Sequence, residues 1–107
     1  MIGITAIGYV LGAERIDNAA RNIAEPELLE QKIGVRQIAR RIDEDTSDLA
    51  VAAVADLQQR HPFDAEKIEC LIVITQNPDG FGLPHTAAVV HDKLGLPEAC
   101  AAFDISL

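Results

Sequence analysis

Tryptophan is absent from the 107 residues, and one Tyr with three Phe are the whole aromatic content. A core must therefore be built from Ile, Leu, Val and Ala, and a chain of this size buries a limited fraction of its surface, which invites a partner. Cysteine occurs only as Cys70 and Cys100, so neither a disulfide framework nor a set of four closely spaced zinc ligands can be assembled. A reducing, cytoplasmic setting is the expectation. Positive charge is scarce too: nine Lys+Arg against seventeen Asp+Glu leave a net charge of -8. That field opposes the counterion-releasing contacts on which nucleic-acid binding depends, so nucleic acid is not an expected partner. Long apolar runs are missing, since Leu49 to Ala55 and Leu71 to Thr75 fall far short of the roughly 20 residues that cross a bilayer. No basic stretch leads into an apolar segment near the start, so no membrane or secretory role is expected. What is present, 49% apolar and 24% charged residues, is the balance of a soluble globular protein with one modest domain over residues 1–107.

Along the chain, Ile2 to Val10 is β-branched and apolar with Gly3 and Gly8, the pattern of a buried strand that something approaches closely. Asp17 and Asn18 are capping residues ahead of a helical Ala19 to Ala24. Pro26 suits the first turn of a second short helix, Glu27 to Ile33, which Gly34 ends. Val35 to Ile42 alternates apolar with basic residues and fits either a half-exposed ribbon or a fixed loop. Asp43 to Asp48 supplies N-caps, and Leu49, Ala53, Val54 and Leu57 then repeat at helical spacing until His61 and Pro62. Ala50, Val51, Ala52 and Ala55 make the other side of this helix apolar as well, so burial on more than one side is expected. Ile68 to Thr75 reads as a strand covered on both faces. Residues 76–84 are loop, Pro84 opens a helix over His85 to Leu94 that Gly95 closes, and Ala99 to Leu107 is the final strand. The order predicts an α/β fold with right-handed crossovers, a mostly parallel sheet and flanking helices.

Three histidines and two cysteines allow a Cys100, His85, Asp104 triad by residue type, but type does not place them together. His85 reads as a polar residue at a helix start, His61 as a helix C-terminal partner and His91 as a helix-surface residue. Both cysteines read as inert thiols in apolar strands. Asp79 to Gly82 has the glycines of a tight turn without the Lys-Ser/Thr of a phosphate cradle. The acidic run 43–48 is explained by capping, so no metal site is expected.

Taken together, residues 2–11, 31–37, 43–53, 70–80, 83–97 and 99–107 resemble, in order and over the whole length, the N-terminal portion of 3-oxoacyl-[acyl-carrier-protein] synthase III. This is a condensing-enzyme branch of the thiolase superfamily. The pairing of Thr75, Pro78, Asp79 and Pro84 with the Cys100 to Ile105 stretch is the most specific part. The resemblance implies an incomplete thiolase-like half-domain from an enzyme of fatty acid or related biosynthesis. There a cysteine thiolate takes an acyl group from a coenzyme A thioester, and malonyl-carrier protein is decarboxylated to attack it. The family's reactive cysteine would fall just beyond Leu107, and its His and Asn later still. The resemblance therefore assigns no catalytic residue here and implies that the chain by itself is inactive.

Four binding positions carry over by the same resemblance. Lys32 stands where the family often has an Arg touching the coenzyme A nucleotide, keeping the charge without the planar fork. Leu28 replaces a Trp that stacks on the adenine, so that stacking is lost. Arg36 matches the Arg of the family's Gly-Ile/Val-Arg motif and reads first as structural. Leu83 matches the residue that closes the partner subunit's acyl pocket, with an ordinary loop anchor as its alternative. The implied partners are acyl-CoA or acyl-carrier protein, the remaining C-terminal part of the same enzyme, and a second copy in a homodimer meeting near Cys100 to Ile105. No cofactor is implied. Two other readings stay open: a small non-catalytic subunit or decoy that binds a full-length condensing enzyme, and a parent enzyme that makes esters or amides.

Overall fold

A computed structural model of the chain describes residues 2–21 and 24–106. They form two compact units, one made of the residues up to Val10 with those from Glu44 onward, the other of Leu11–Asp43.

In the Leu11–Asp43 unit, β1 (Glu14–Asp17), α1 (Pro26–Ile33) and β2 (Gln37–Arg40) follow in that order. The strands β1 and β2 pair antiparallel, Glu14 opposite Arg40 and Asp17 opposite Gln37. The ribbon reading of Val35 to Ile42 thus holds, and its partner is a strand that the sequence pattern did not announce. Arg40 and Glu14 form an ion pair across the ladder at 2.7 Å. The helix expected over Ala19 to Ala24 is, in its described part, a single 3-10 turn, Asn18–Ala20, capped by the Asp17 side chain on the Ala19 N–H. Asn22 and Ile23 lie outside the described residues. Asn18 is buried because it has work for each polar group: its main-chain N–H donates to the Arg36 carbonyl and its side-chain amide to the Val35 carbonyl. Helix α1 starts on Pro26 and stops at Gly34, whose φ of 77° lets its N–H return to the Glu30 carbonyl. A residue with a Cβ pays for that left-handed turn.

The other unit holds α2 (Thr46–Arg60), β3 (Cys70–Ile74), α3 (Thr86–Leu94) and β4 (Ala101–Ile105). Helix α2 begins with a capping box, Asp45 and Asp48 each accepting the other's main-chain N–H. This is how the acidic run stabilises the helix start. Strands β3 and β4 are parallel, in register from Cys70 opposite Ala101 to Ile74 opposite Ile105. Val73, Ala87 and Val90 are the buried centre, with Ala50, Val51, Leu71, Leu94 and Ala102 packed on them. The crossover from β3 through α3 to β4 is the parallel unit that the element order predicted, and the architecture is α/β.

Three burial expectations are corrected. Ile2 to Val10 is not a buried strand: it forms no ladder among the described residues, and Ile2, Ile4, Ile7 and Tyr9 are exposed. Among the described residues no strand lies beside it, yet Gly8 does meet a close neighbour, since a Cβ there would lie 2.6 Å from that of Leu57. Second, β3 is covered on one face only. Leu71 and Val73 point to the core, while Ile72 and Ile74 on β3, with Phe103 and Ile105 on β4, are 43–60% exposed. Cys70 shares that open face and is exposed, contrary to the inert buried thiol expected, whereas Cys100 is buried as expected. Third, α2 is covered on more than one side but only in part: residues 49–54, which run right round the helix, are all half-buried. Each miss has the same cause: an apolar pattern states what a residue prefers, not whether a neighbouring layer is there to cover it.

Candidate functional site

The resemblance-derived binding residues fall in both units, and each group is described within its own. On α1, Leu28 and Lys32 are one helical turn apart and therefore share a face. They line a shallow surface recess of about 190 Å³ with Ala24, Glu25, Leu29 and Ile33. No residue of α1 is buried, so this face is open to a ligand. Lys32 sits in the last turn, where the helix dipole favours a cation. An aliphatic Leu28 supplies an apolar rim, and the ammonium supplies a mobile point charge suited to a phosphate or carboxylate.

Arg36 does not join that face. It lies past the Gly34 turn, its guanidinium 3.7 Å from the Asp17 carboxylate and its carbonyl receiving the Asn18 N–H at 2.9 Å. Both contacts hold the end of α1 to β1, which fits the structural reading first. The guanidinium remains 73% exposed.

In the other unit, Leu83 stands in the loop between β3 and α3, 82% exposed beside a fully exposed Phe81. The loop leads into α3 with a capping arrangement that the sequence did not reveal. His85, the N-cap, makes no side-chain cap bond. Asp104 of β4 does so instead, its two carboxylate oxygens accepting the N–H groups of Thr86 at 2.7 Å and Ala87 at 2.6 Å. The absence of a Ser, Thr, Asp or Asn before Thr86 was the available signal that a cap had to come from elsewhere.

This disposes of the triad. Asp104 and His85 are near each other, with Nδ1 at 3.5 Å from the carboxylate, but Cys100 lies four residues back along an extended strand, roughly 13 Å away. Its thiol donates to the Ala101 carbonyl. His91 also departs from its surface reading: half-buried, its Nε2 lies 3.1 Å from the Pro97 carbonyl. A carbonyl only accepts, so that nitrogen carries the proton. Among the described residues no histidine bonds either thiol, and no cluster of His, Cys, Asp and Glu could hold a metal ion.

Two features went unanticipated. One is an apolar groove of about 410 Å³ in the same unit, lined by α2 residues including Val54 and Leu57, by Phe63 and Leu71, and by Leu94 and Leu96. The other is a pair of charge clusters along α2. The Asp56 carboxyl is held below the usual carboxylate range by the Tyr9 N–H and then by Arg60, whose guanidinium also lies 5.3 Å over the Tyr9 ring. At the other end Lys93 donates to Asp48, lowering the acid and raising the amine. Both tie segments together.

No family model matches the chain. Among curated proteins it is 41% identical over 80 residues to beta-ketoacyl-[acyl-carrier-protein] synthase III of Clostridium perfringens, covering 75% of this chain and 24% of that protein. It is 35% identical over 107 residues to the protein of the same name from Neisseria meningitidis, covering 95% of this chain and 33% of that one. Among solved structures, beta-ketoacyl-[acyl-carrier-protein] synthase III from Thermus thermophilus superposes with a TM-score of 0.82 at 35% identity, over 99% of this chain and 33% of that one. The chain therefore spans between about a quarter and a third of the length of these relatives.

Proposed function

In sequence and fold this chain matches about a third of a beta-ketoacyl-[acyl-carrier-protein] synthase III, and on that premise we propose that it is the N-terminal portion of such a condensing enzyme. Residues 1–107 then form one incomplete half-domain of a homodimeric, cytoplasmic protein. The enzyme joins an acyl thioester, delivered by coenzyme A or a carrier protein, to malonyl-carrier protein. Loss of carbon dioxide from the malonyl thioester leaves a carbanion that attacks the acyl carbonyl and expels the enzyme's thiolate. That thiolate belongs to a cysteine outside these residues, since among the described residues no histidine bonds Cys70 or Cys100.

The observation that carries this reading is the open apolar face of β3 and β4. Ile72, Ile74, Phe103 and Ile105 lie in register on one side of a parallel pair, and parallel sheets are normally covered on both sides. Such a face calls for a further layer, which the remainder of a two-lobed enzyme supplies. Lys32 and Leu28, side by side on the α1 recess, meet the nucleotide end of a coenzyme A donor, and Leu83 closes the acyl pocket of the partner subunit.

The test is complementation. Co-expressed with the remaining two thirds of the Thermus thermophilus relative, the chain should release carbon dioxide from malonyl-carrier protein, and alone it should release none. Titrating the isotope-labelled chain with acetyl-CoA should shift the amides around Leu28 and Lys32. No release together with no shift would overturn the proposal. A stable complex with an intact synthase that stays inert on its own would instead establish a non-catalytic subunit, a reading the same open face accommodates.

A further inference from the structure

The loop between β3 and α3 combines an exposed tip with a buried base. At the tip, Phe81 and Leu83 are 103% and 82% exposed, while at the base Ser47 and Thr86 are both at 0%. Asp79 joins the two base residues: its Oδ1 accepts the Ser47 N–H at 3.0 Å, and its own N–H donates to the Thr86 hydroxyl at 3.1 Å. The Asp79 carbonyl then receives the Gly82 N–H at 3.0 Å, closing the turn that carries Phe81. Around it, the Thr46 hydroxyl donates to the Asn77 carbonyl, and Lys93 reaches from α3 to the Ser47 hydroxyl at 2.8 Å.

One residue thus bonds the first turn of α2, the first turn of α3 and the loop tip. A loop serving only as a connector gains nothing from holding two large apolar side chains in water above a fixed base. We infer that Asp79 is a positioning residue, setting the place at which Phe81 and Leu83 are presented to an apolar ligand. That the ligand is an acyl chain rests on the reading of Leu83 given above; the anchoring does not.

Backbone amide exchange of the full 107-residue chain separates these. Asp79→Ala should speed exchange at residues 80–83 by about tenfold, the factor one lost hydrogen bond carries, with Val54 and Val90 unchanged. Asp79→Asn keeps the acceptor oxygen and should restore the native rates. Thr86→Val, which removes the other partner, should loosen the same residues while Thr86→Ser should not, and this pair decides the matter if Asp79→Ala fails to fold. Loop rates unchanged in Asp79→Ala and Thr86→Val, a rise shared equally by the core, or an Asp79→Asn as loose as the alanine variant would each overturn the inference. If the loop loosens as expected but an acyl-CoA photoprobe never labels Leu83 in the complemented enzyme, the anchor stands and the acyl reading of Leu83 falls.

Discussion

Asp104 holds Thr86 by a hydrogen bond of 2.7 Å from the Thr86 main-chain N–H to Oδ2, while Oδ1 takes the next N–H of the same helix. A β4 side chain, 18 positions further along the chain than Thr86, therefore caps α3. The helix start, the loop before it and the end of the parallel pair become one mechanical piece.

Asp104→Ala should accordingly destabilise the chain by about 2–4 kcal/mol, because two charge-assisted bonds are lost and two N–H groups are left without their acceptor. Asp104→Asn, retaining one good acceptor, should cost less. Urea denaturation measures both, and equal costs would show that the carboxylate charge and its second oxygen contribute nothing.

Acid should weaken the fold in a defined window. The Asp48 and Asp56 carboxyls lie below their unfolded values, so their stabilisation is complete above about pH 5 and is lost as pH falls through their lowered folded-state values. A melting series from pH 6 to pH 2 should show this loss. Asp56→Asn should melt lower at pH 6 but decline less steeply, since one of the titrating groups is gone.

Cys70 and Cys100 should differ sharply toward a water-soluble maleimide. Cys70 is exposed and Cys100 is 5% exposed, so the native chain should take one label, at Cys70, and the second only on unfolding. Two rapid labels on native protein would contradict the burial of Cys100.

The open sheet face should make the isolated chain associate. Ile72 and Phe103 face each other in register at 53% and 55% exposure, and Phe103→Lys should shift sedimentation toward monomer with little change in melting temperature, since more than half of that residue already faces water. A wild-type chain that sediments as a monomer at all concentrations would show that this face tolerates water.

The helices were the most legible part of the sequence. Asp45 and Asp48 box the start of α2, His61 and Pro62 stop it, and Gly34 and Gly95 end α1 and α3, all through contacts within a few residues. Lys32 and Leu28 could be paired on paper for the same reason, because helical spacing alone puts them on one face. Strand coverage was not legible: Val73 and Ile72 are adjacent apolar residues of similar size, yet one is buried and the other half in water.

What the sequence determined by itself was the three helices, the capping box of α2, the glycine ends of α1 and α3, and the β3, α3, β4 order, since these depend on neighbours in the chain and on the residue pattern. Only the tertiary structure decided that β1 exists as the partner of β2, that Asp104 caps a distant helix, that Asp79 joins three segments and that Cys70 lies in the open. These are pairings between residues far apart in the chain, and side-chain chemistry leaves many candidates for each until the backbone brings one of them within hydrogen-bonding or packing distance.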